Sequence, residues 1–228
     1  MPYQTHGSGG LSNLDTGVDL LSPSLLDAFG IVLESPQDDQ VIEDSIRRIL
    51  ETVGEDLERE GLHNTPSRVA CMYHELLAGY QVNPRELLNN AVFHIDSPQM
   101  IIVKGIEFYS LCEHHLLPFI GHASVGYIPR AQVIGLSKIP RIVDMFARRL
   151  QIQERMTQQI ADFICKVLDP IGVAVIVEGI HLCSLIRGVK KADSKMITSV
   201  LTGAFRDDDR TRMEFLSLIG RQDAGLWA

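Results

Sequence analysis

Cys112, Glu113, His114 and His115 form a dense run of residue types that bind metal ions and move protons. A thiolate and an imidazole two or three positions apart can reach one ion. A second pair, His181 and Cys183, lies two residues apart. On a strand, positions i and i+2 project from the same face, so the two pairs suggest one shared site. Two thiolates and one histidine neutralise Zn²⁺ and leave a fourth position for water, the pattern of catalytic rather than structural zinc. Water on so electron-rich an ion is less acidified than on three neutral histidines, so a base alongside is useful. The spacing leaves open which of His114 and His115 is the ligand and which is the base. The competing reading is a set of unrelated buried thiols and core histidines.

Other residues suggest a ligand of particular chemistry. Ser137-Lys138-Ile139-Pro140-Arg141 opens a helix, where free N–H groups, the helix dipole and two cations favour a phosphate. Arg187, Lys190 and Lys191 follow the second pair and bring positive charge towards it. Gln153 and Glu154 begin a further helix. A carboxylate there ordinarily complements the dipole, but it can also accept two N–H bonds from the Watson–Crick edge of guanine. Cys71 and Cys165 fall on apolar helical faces and read as core residues.

Flanking elements must position these groups. Residues 1–36 contain no Lys or Arg and only short apolar runs, and read as a mostly disordered tail. Val41, Ile42, Ile46, Ile49 and Leu50 mark an amphipathic helix over 37–53. Thr65-Pro66 supplies an N-cap with proline at the first helical position, and a second helix runs on to Gly79. Near residue 100 the period changes: Ile101, Val103 and 106–109 read as one strand, and Ala123, Val125 and Tyr127 alternate as another. Ser137 caps a helix to Leu150, and another runs from Gln153 to Leu168. A strand over 173–183, a strand over 197–205 and a short helix over 211–219 complete an α+β order. The division is a tail to 36, a helical segment over 37–95, a catalytic domain over 96–221 and a C-terminal tail over 222–228.

At 228 residues and 45% hydrophobic content, the chain can bury one substantial core. No run approaches the roughly 18 apolar residues that a membrane helix needs, and the first residues lack a signal-peptide pattern. A cytoplasmic location follows, and with it reduced thiols. The net charge of −8 argues against nucleic acid as a partner. That charge is uneven: residues 1–62 carry 13 acidic and 3 basic side chains, whereas 130–195 carry 11 basic and 6 acidic. A local anion site in the second stretch fits this asymmetry.

Several motifs occur together: Glu60-Gly61-Leu62 with Thr65-Pro66-Ser67-Arg68-Val69-Ala70, Ser110-Leu111-Cys112-Glu113-His114-His115, Gly135-Leu136-Ser137-Lys138, Gln151-Ile152-Gln153-Glu154-Arg155, and His181-Leu182-Cys183 before Arg187-Gly188-Val189. In this the chain resembles GTP cyclohydrolase I from about residue 55 to 219. The resemblance implies that Cys112, His115 and Cys183 hold zinc, with His114 and His181 as acid/base residues. It implies a triphosphate near Ser137, Lys138, Arg141 and Arg187, Arg68 reaching in from a neighbouring subunit, and guanine against Gln153 and Glu154. The implied reaction adds water at C8 of GTP while a histidine protonates N7, releases formate, and closes the rearranged ribose into 7,8-dihydroneopterin triphosphate, the first step towards tetrahydrofolate and related pterins. The implied fold is the tunnelling fold: an antiparallel sheet with helices on one face, preceded by a helical segment, joined edge to edge into a barrel. The implied assembly is a homodecamer of two pentamers, which would cover the strand edges that a monomer exposes. The alternative is a relative of that fold that binds a pterin or purine and performs another reaction. Such a relative should lack the paired cysteine and histidine set. A structural zinc protein would need a fourth protein ligand, which the other cysteines are poorly placed to supply.

Overall fold

The computed structural model describes residues 18–33, 38–96, 98–191 and 194–220. The helices are α1 (Pro23–Ala28), α2 (Asp39–Thr52), α3 (Thr65–Leu76), α4 (Pro84–Leu88), α5 (Lys138–Ala147), α6 (Gln153–Leu168), α7 (Leu182–Leu185), α8 (Ala204–Asp207) and α9 (Asp209–Gly220). The strands are β1 (Val92–His94), β2 (Ile101–Cys112), β3 (Pro118–Ile128), β4 (Gln132–Ile134), β5 (Leu150–Gln151), β6 (Gly172–His181) and β7 (Met196–Leu201).

Period-2 patterning builds the main sheet, whose order is β5-β2-β3-β6-β7. Ile106 and Phe108 turn inwards while Glu107 and Tyr109 face out, and Val173, Val175 and Val177 do the same on β6. The β2–β3, β3–β6 and β6–β7 pairs are antiparallel, but β5 joins β2 in parallel, so the sheet is mixed. Helices α5 and α6 cover the inward face, with Ile142, Val143, Phe146, Met156, Ile160, Phe163 and Ile164 buried beneath them. The expectation of helices on one face alone needs correction. Phe205 of α8 and Phe215 of α9 pack with Ala174 in a separate cluster, and their rings lie over Gly126, where a Cβ would meet Phe215 at 2.7 Å. Side chains alternate along a strand, so this small cluster caps one end of the opposite face.

The tail reading fails for 18–33, whereas 1–17 and 34–37 lie outside the described residues, as does the tail expected over 222–228. Leu20, Leu25, Phe29 and Ile31 are buried in the main core, and Phe29 packs edge-on to Phe163 with centroids 5.3 Å apart. Arg149, itself 2% exposed, donates to the carbonyls of Phe29 (2.5 Å), Gly79 (2.9 Å) and Met145 (2.7 Å) and lies over the Tyr80 and Phe146 rings. Burial lowers its pKa to about 10, so it stays a cation, held among the described residues by carbonyl dipoles rather than by a carboxylate. Short apolar runs were a weak signal because their partners, Phe163 and Arg149, lie far along the chain. The boundary expected at 95/96 also separates no core: β1 pairs with β4, and Leu87 and Leu88 share the main cluster.

Local corrections are smaller. Asn64, not Thr65, precedes α3, and Ser137 makes no side-chain cap. The strand expected over 173–183 stops at His181, so His181 and Cys183 do not share a strand. The strand expected over 197–205 ends at Leu201, and Gly203, at φ 49°, turns the chain into α8.

Candidate metal centre and substrate site

The β2–β3 hairpin carries the first half of the site. Cys112 ends β2, and its turn closes through Cys112 N–H donating to Leu117 O at 2.9 Å and Leu116 N–H donating to Cys112 O at 2.8 Å. Leu116 takes φ 53°, which tightens the turn so that Cys112, His114 and His115 crowd together. Cys112 Sγ lies 3.9 Å from Nδ1 of His114 and 3.9 Å from Nδ1 of His115. The second half comes from β6, which pairs with β3 so that His181 sits opposite Phe119. The helical turn α7 then swings Cys183 round to the hairpin. Ligand atoms of Cys112, His115 and Cys183 all lie within 4.8 Å of one another.

These residues fit a tetrahedral ion. Zinc–sulfur and zinc–nitrogen bonds of about 2.3 and 2.0 Å place neighbouring ligand atoms roughly 3.5–3.8 Å apart; Cys112 Sγ and His115 Nδ1 are 3.9 Å apart, and no pair in the set exceeds 4.8 Å. Electrostatics point the same way: burial, then the adjacent Cys112 thiol, push the Cys183 thiol up, while Arg187 opposes them. Two thiolates this close are unfavourable without a cation between them.

His181 is held beside this cluster. Its ring stacks on Phe119 at 4.6 Å with the planes 2° apart, and its Nε2 lies 3.0 Å from Gln153 Oε1. Burial lowers its pKa, and the nearby Glu154 charge raises it in part. Gln153, expected at the guanine edge, also makes contacts within the chain. It is fully buried, and its Nε2 donates to Val177 O, Met196 O and Thr198 Oγ1 at 3.0, 3.0 and 3.1 Å. Its two N–H groups are taken up within the chain, and its Oε1 faces His181. Gly179 makes room for it, since a Cβ there would lie 2.5 Å from Gln153 Oε1. Glu154, the next residue, is exposed.

Of the expected phosphate residues, Arg187 stands near the metal cluster within one chain, whereas the α5 residues lie further off. Ser137, Lys138 and Arg141 begin α5, whose other end leads to β5 beside Cys112; ten helical residues span about 15 Å. Lys138 is buried, which lowers its pKa, with Arg141 adding to the effect. Arg187 is exposed close to Cys183, and Arg68 is exposed on α3. Sequence reasoning gave no role to Glu113, Gln151 or Arg155, although all three meet behind the hairpin turn. The available signal was the spacing of Gln151 and Arg155, four residues apart across a helix start.

Fold and site together define an α+β protein with a candidate three-ligand metal centre. Residues 42–220 match the sequence model of the family described as GTP cyclohydrolase I. GTP cyclohydrolase 1 of Methylococcus capsulatus is 57% identical over 182 residues, covering 80% of this chain and 98% of that protein. GTP cyclohydrolase 1 of Synechococcus sp. is 46% identical over 217 residues, covering 93% of this chain and 95% of that protein. A solved apo structure of archaeosine synthase QueF-Like covers 47% of this chain and 97% of its own at 19% identity and a TM-score of 0.40, a likeness too slight to bear on function. The chain belongs to the GTP cyclohydrolase I family.

Proposed function

We propose that this chain is a zinc-dependent GTP cyclohydrolase I, converting GTP into formate and 7,8-dihydroneopterin triphosphate. The convergence of Cys112, His115 and Cys183 carries the reading, in a chain whose family membership is clear. When bound, zinc supplies Lewis-acid activation of water and polarisation of the purine at C8. The chain's own groups do the rest. His181, fixed by Phe119 and Gln153, gives a proton to N7 as C8 is hydrated, and His114 on the hairpin turn moves protons on the other side. Glu154 accepts the two N–H groups of the guanine edge, and Arg187 and the α5 start with Ser137, Lys138 and Arg141 take the triphosphate.

The working form is a homo-oligomer, a decamer of two stacked tunnelling-fold pentamers. Two observations support this: among the described residues β7 pairs with β6 alone, and β2 has only β3 beside it over 101–110, so long edges stay open. The distance between the α5 start and the metal cluster likewise favours a site completed between subunits, with Arg68 supplied by a neighbour. A reducing cytoplasm keeps the four free cysteines as thiols; no helix among the described residues is long and apolar enough to cross a membrane.

The test is turnover. Purified protein loaded with zinc and given GTP should release formate and a product that oxidises to a fluorescent pterin. Binding of GTP without formate release would refute the reading.

A further inference from the structure

We infer that Arg155 is a positioning residue for the metal centre: it clamps the hairpin turn through Glu113 and thereby sets where His115 and His114 stand. This rests on the zinc reading above and concerns residues that touch neither metal nor substrate.

Glu113 lies between the ligand Cys112 and the two histidines, so any rotation of its peptide moves all three. It is tied down twice. Its N–H donates to Gln151 O at 3.0 Å, and its carboxylate is ion-paired with the Arg155 guanidinium. Arg155 is a hub rather than a lone partner: Nε donates to Gln151 Oε1 at 3.0 Å and Nη2 also reaches Leu150 O at 3.2 Å. Gln151 is buried and anchored by donating to Phe146 O at 3.0 Å and Gln159 Oε1 at 2.8 Å. One planar fork thus joins the hairpin turn, β5 and the first turn of α6, a geometry that a lysine point charge cannot reproduce.

Two residues earlier on the same helical turn, Gln153 fixes His181. The first turn of α6 therefore references both halves of the site to one rigid element, Arg155 for the hairpin and Gln153 for β6. Magnitude separates this role from ordinary stabilisation. The Arg155 and Glu113 side chains are 41% and 32% exposed, and ion pairs of that kind contribute little to folding. Outer groups that orient metal ligands, by contrast, typically alter metal affinity by about 10- to 100-fold when removed.

The test measures zinc affinity by competition with a chromogenic chelator, together with melting temperature and GTP kinetics, for the full chain and for Arg155→Met, Arg155→Lys, Glu113→Gln and the Arg155→Met/Glu113→Gln double variant. The expected result is a zinc affinity roughly 10- to 100-fold weaker in Arg155→Met and Glu113→Gln, a double variant no worse than the poorer single, and partial recovery in Arg155→Lys. With zinc saturating, kcat should fall more than KM rises, because histidine placement and not GTP binding is disturbed. Zinc affinity within threefold of the parent, or losses that multiply in the double variant, would overturn the inference. So would affinity losses that merely track melting temperature. A parent chain that binds no zinc would instead overturn the proposed function, and the two failures are therefore distinguishable.

Discussion

Replacing Gln153 with Glu changes one atom and separates two roles for this side chain. The Gln153 Nε2 donates to Val177 O, Met196 O and Thr198 Oγ1, and the residue is fully buried. Glutamate keeps the oxygen facing His181 but turns a second acceptor towards three acceptors. The amide has two hydrogens to share among these acceptors, and each hydrogen bond lost is worth about 1 kcal/mol, so the loss comes to about 2 kcal/mol before any repulsion is counted. At roughly 2–4 °C per kcal/mol for a chain of this size, the melting temperature should fall by about 4–8 °C. Burial among oxygens raises the new carboxyl's pKa, and its protonated form returns one donor. A raised folded-state pKa gives stability present at low pH and lost as pH climbs through it, so the deficit should be larger at pH 8 than at pH 5.5. Thermal melts of parent and variant at both pH values, with GTP kinetics, make the comparison. A variant that melts within about 2 °C of the parent at pH 8 but binds GTP poorly would refute the buried role and return Gln153 to the guanine edge.

Cys112→Ser and Cys183→Ser should each lose stoichiometric zinc and turnover, because each removes a thiolate from a three-ligand site; metal analysis checks it, and full occupancy contradicts the ligand set. His181→Ala should keep zinc but stall turnover, and zinc loss would make it a ligand. Glu154→Gln should weaken GTP binding by roughly ten- to more than a hundredfold with zinc content unchanged, since it sets a donor against a donor; calorimetric titration with GTP decides, and unchanged affinity leaves Glu154 as a dipole partner. Phe29→Ala should cost about 3–5 kcal/mol, seen in denaturant melts, because its ring packs against Phe146 and Phe163; a neutral result would return 18–33 to the status of a loose tail.

Local chemistry in the sequence determined much of this protein. The runs around Cys112 and His181, the apolar periods of α2, α5 and α6, and the alternation of β2 and β3 depend only on neighbours in the chain, so spacing alone located the ligand types and most elements. Tertiary structure decided what distant partners control. Residues 18–33 are ordered because Phe29 and its carbonyl meet Phe163 and Arg149, more than a hundred positions away, and no window of sequence holds both sides of that contact. The two halves of the candidate site meet because strand register sets His181 opposite Phe119, and because α7 turns Cys183 off the strand that spacing had assigned to it. The family resemblance set Gln153 against guanine. Burial against β6 and β7 filled its amide with backbone and histidine partners, a choice made by packing across three elements and not by any local propensity.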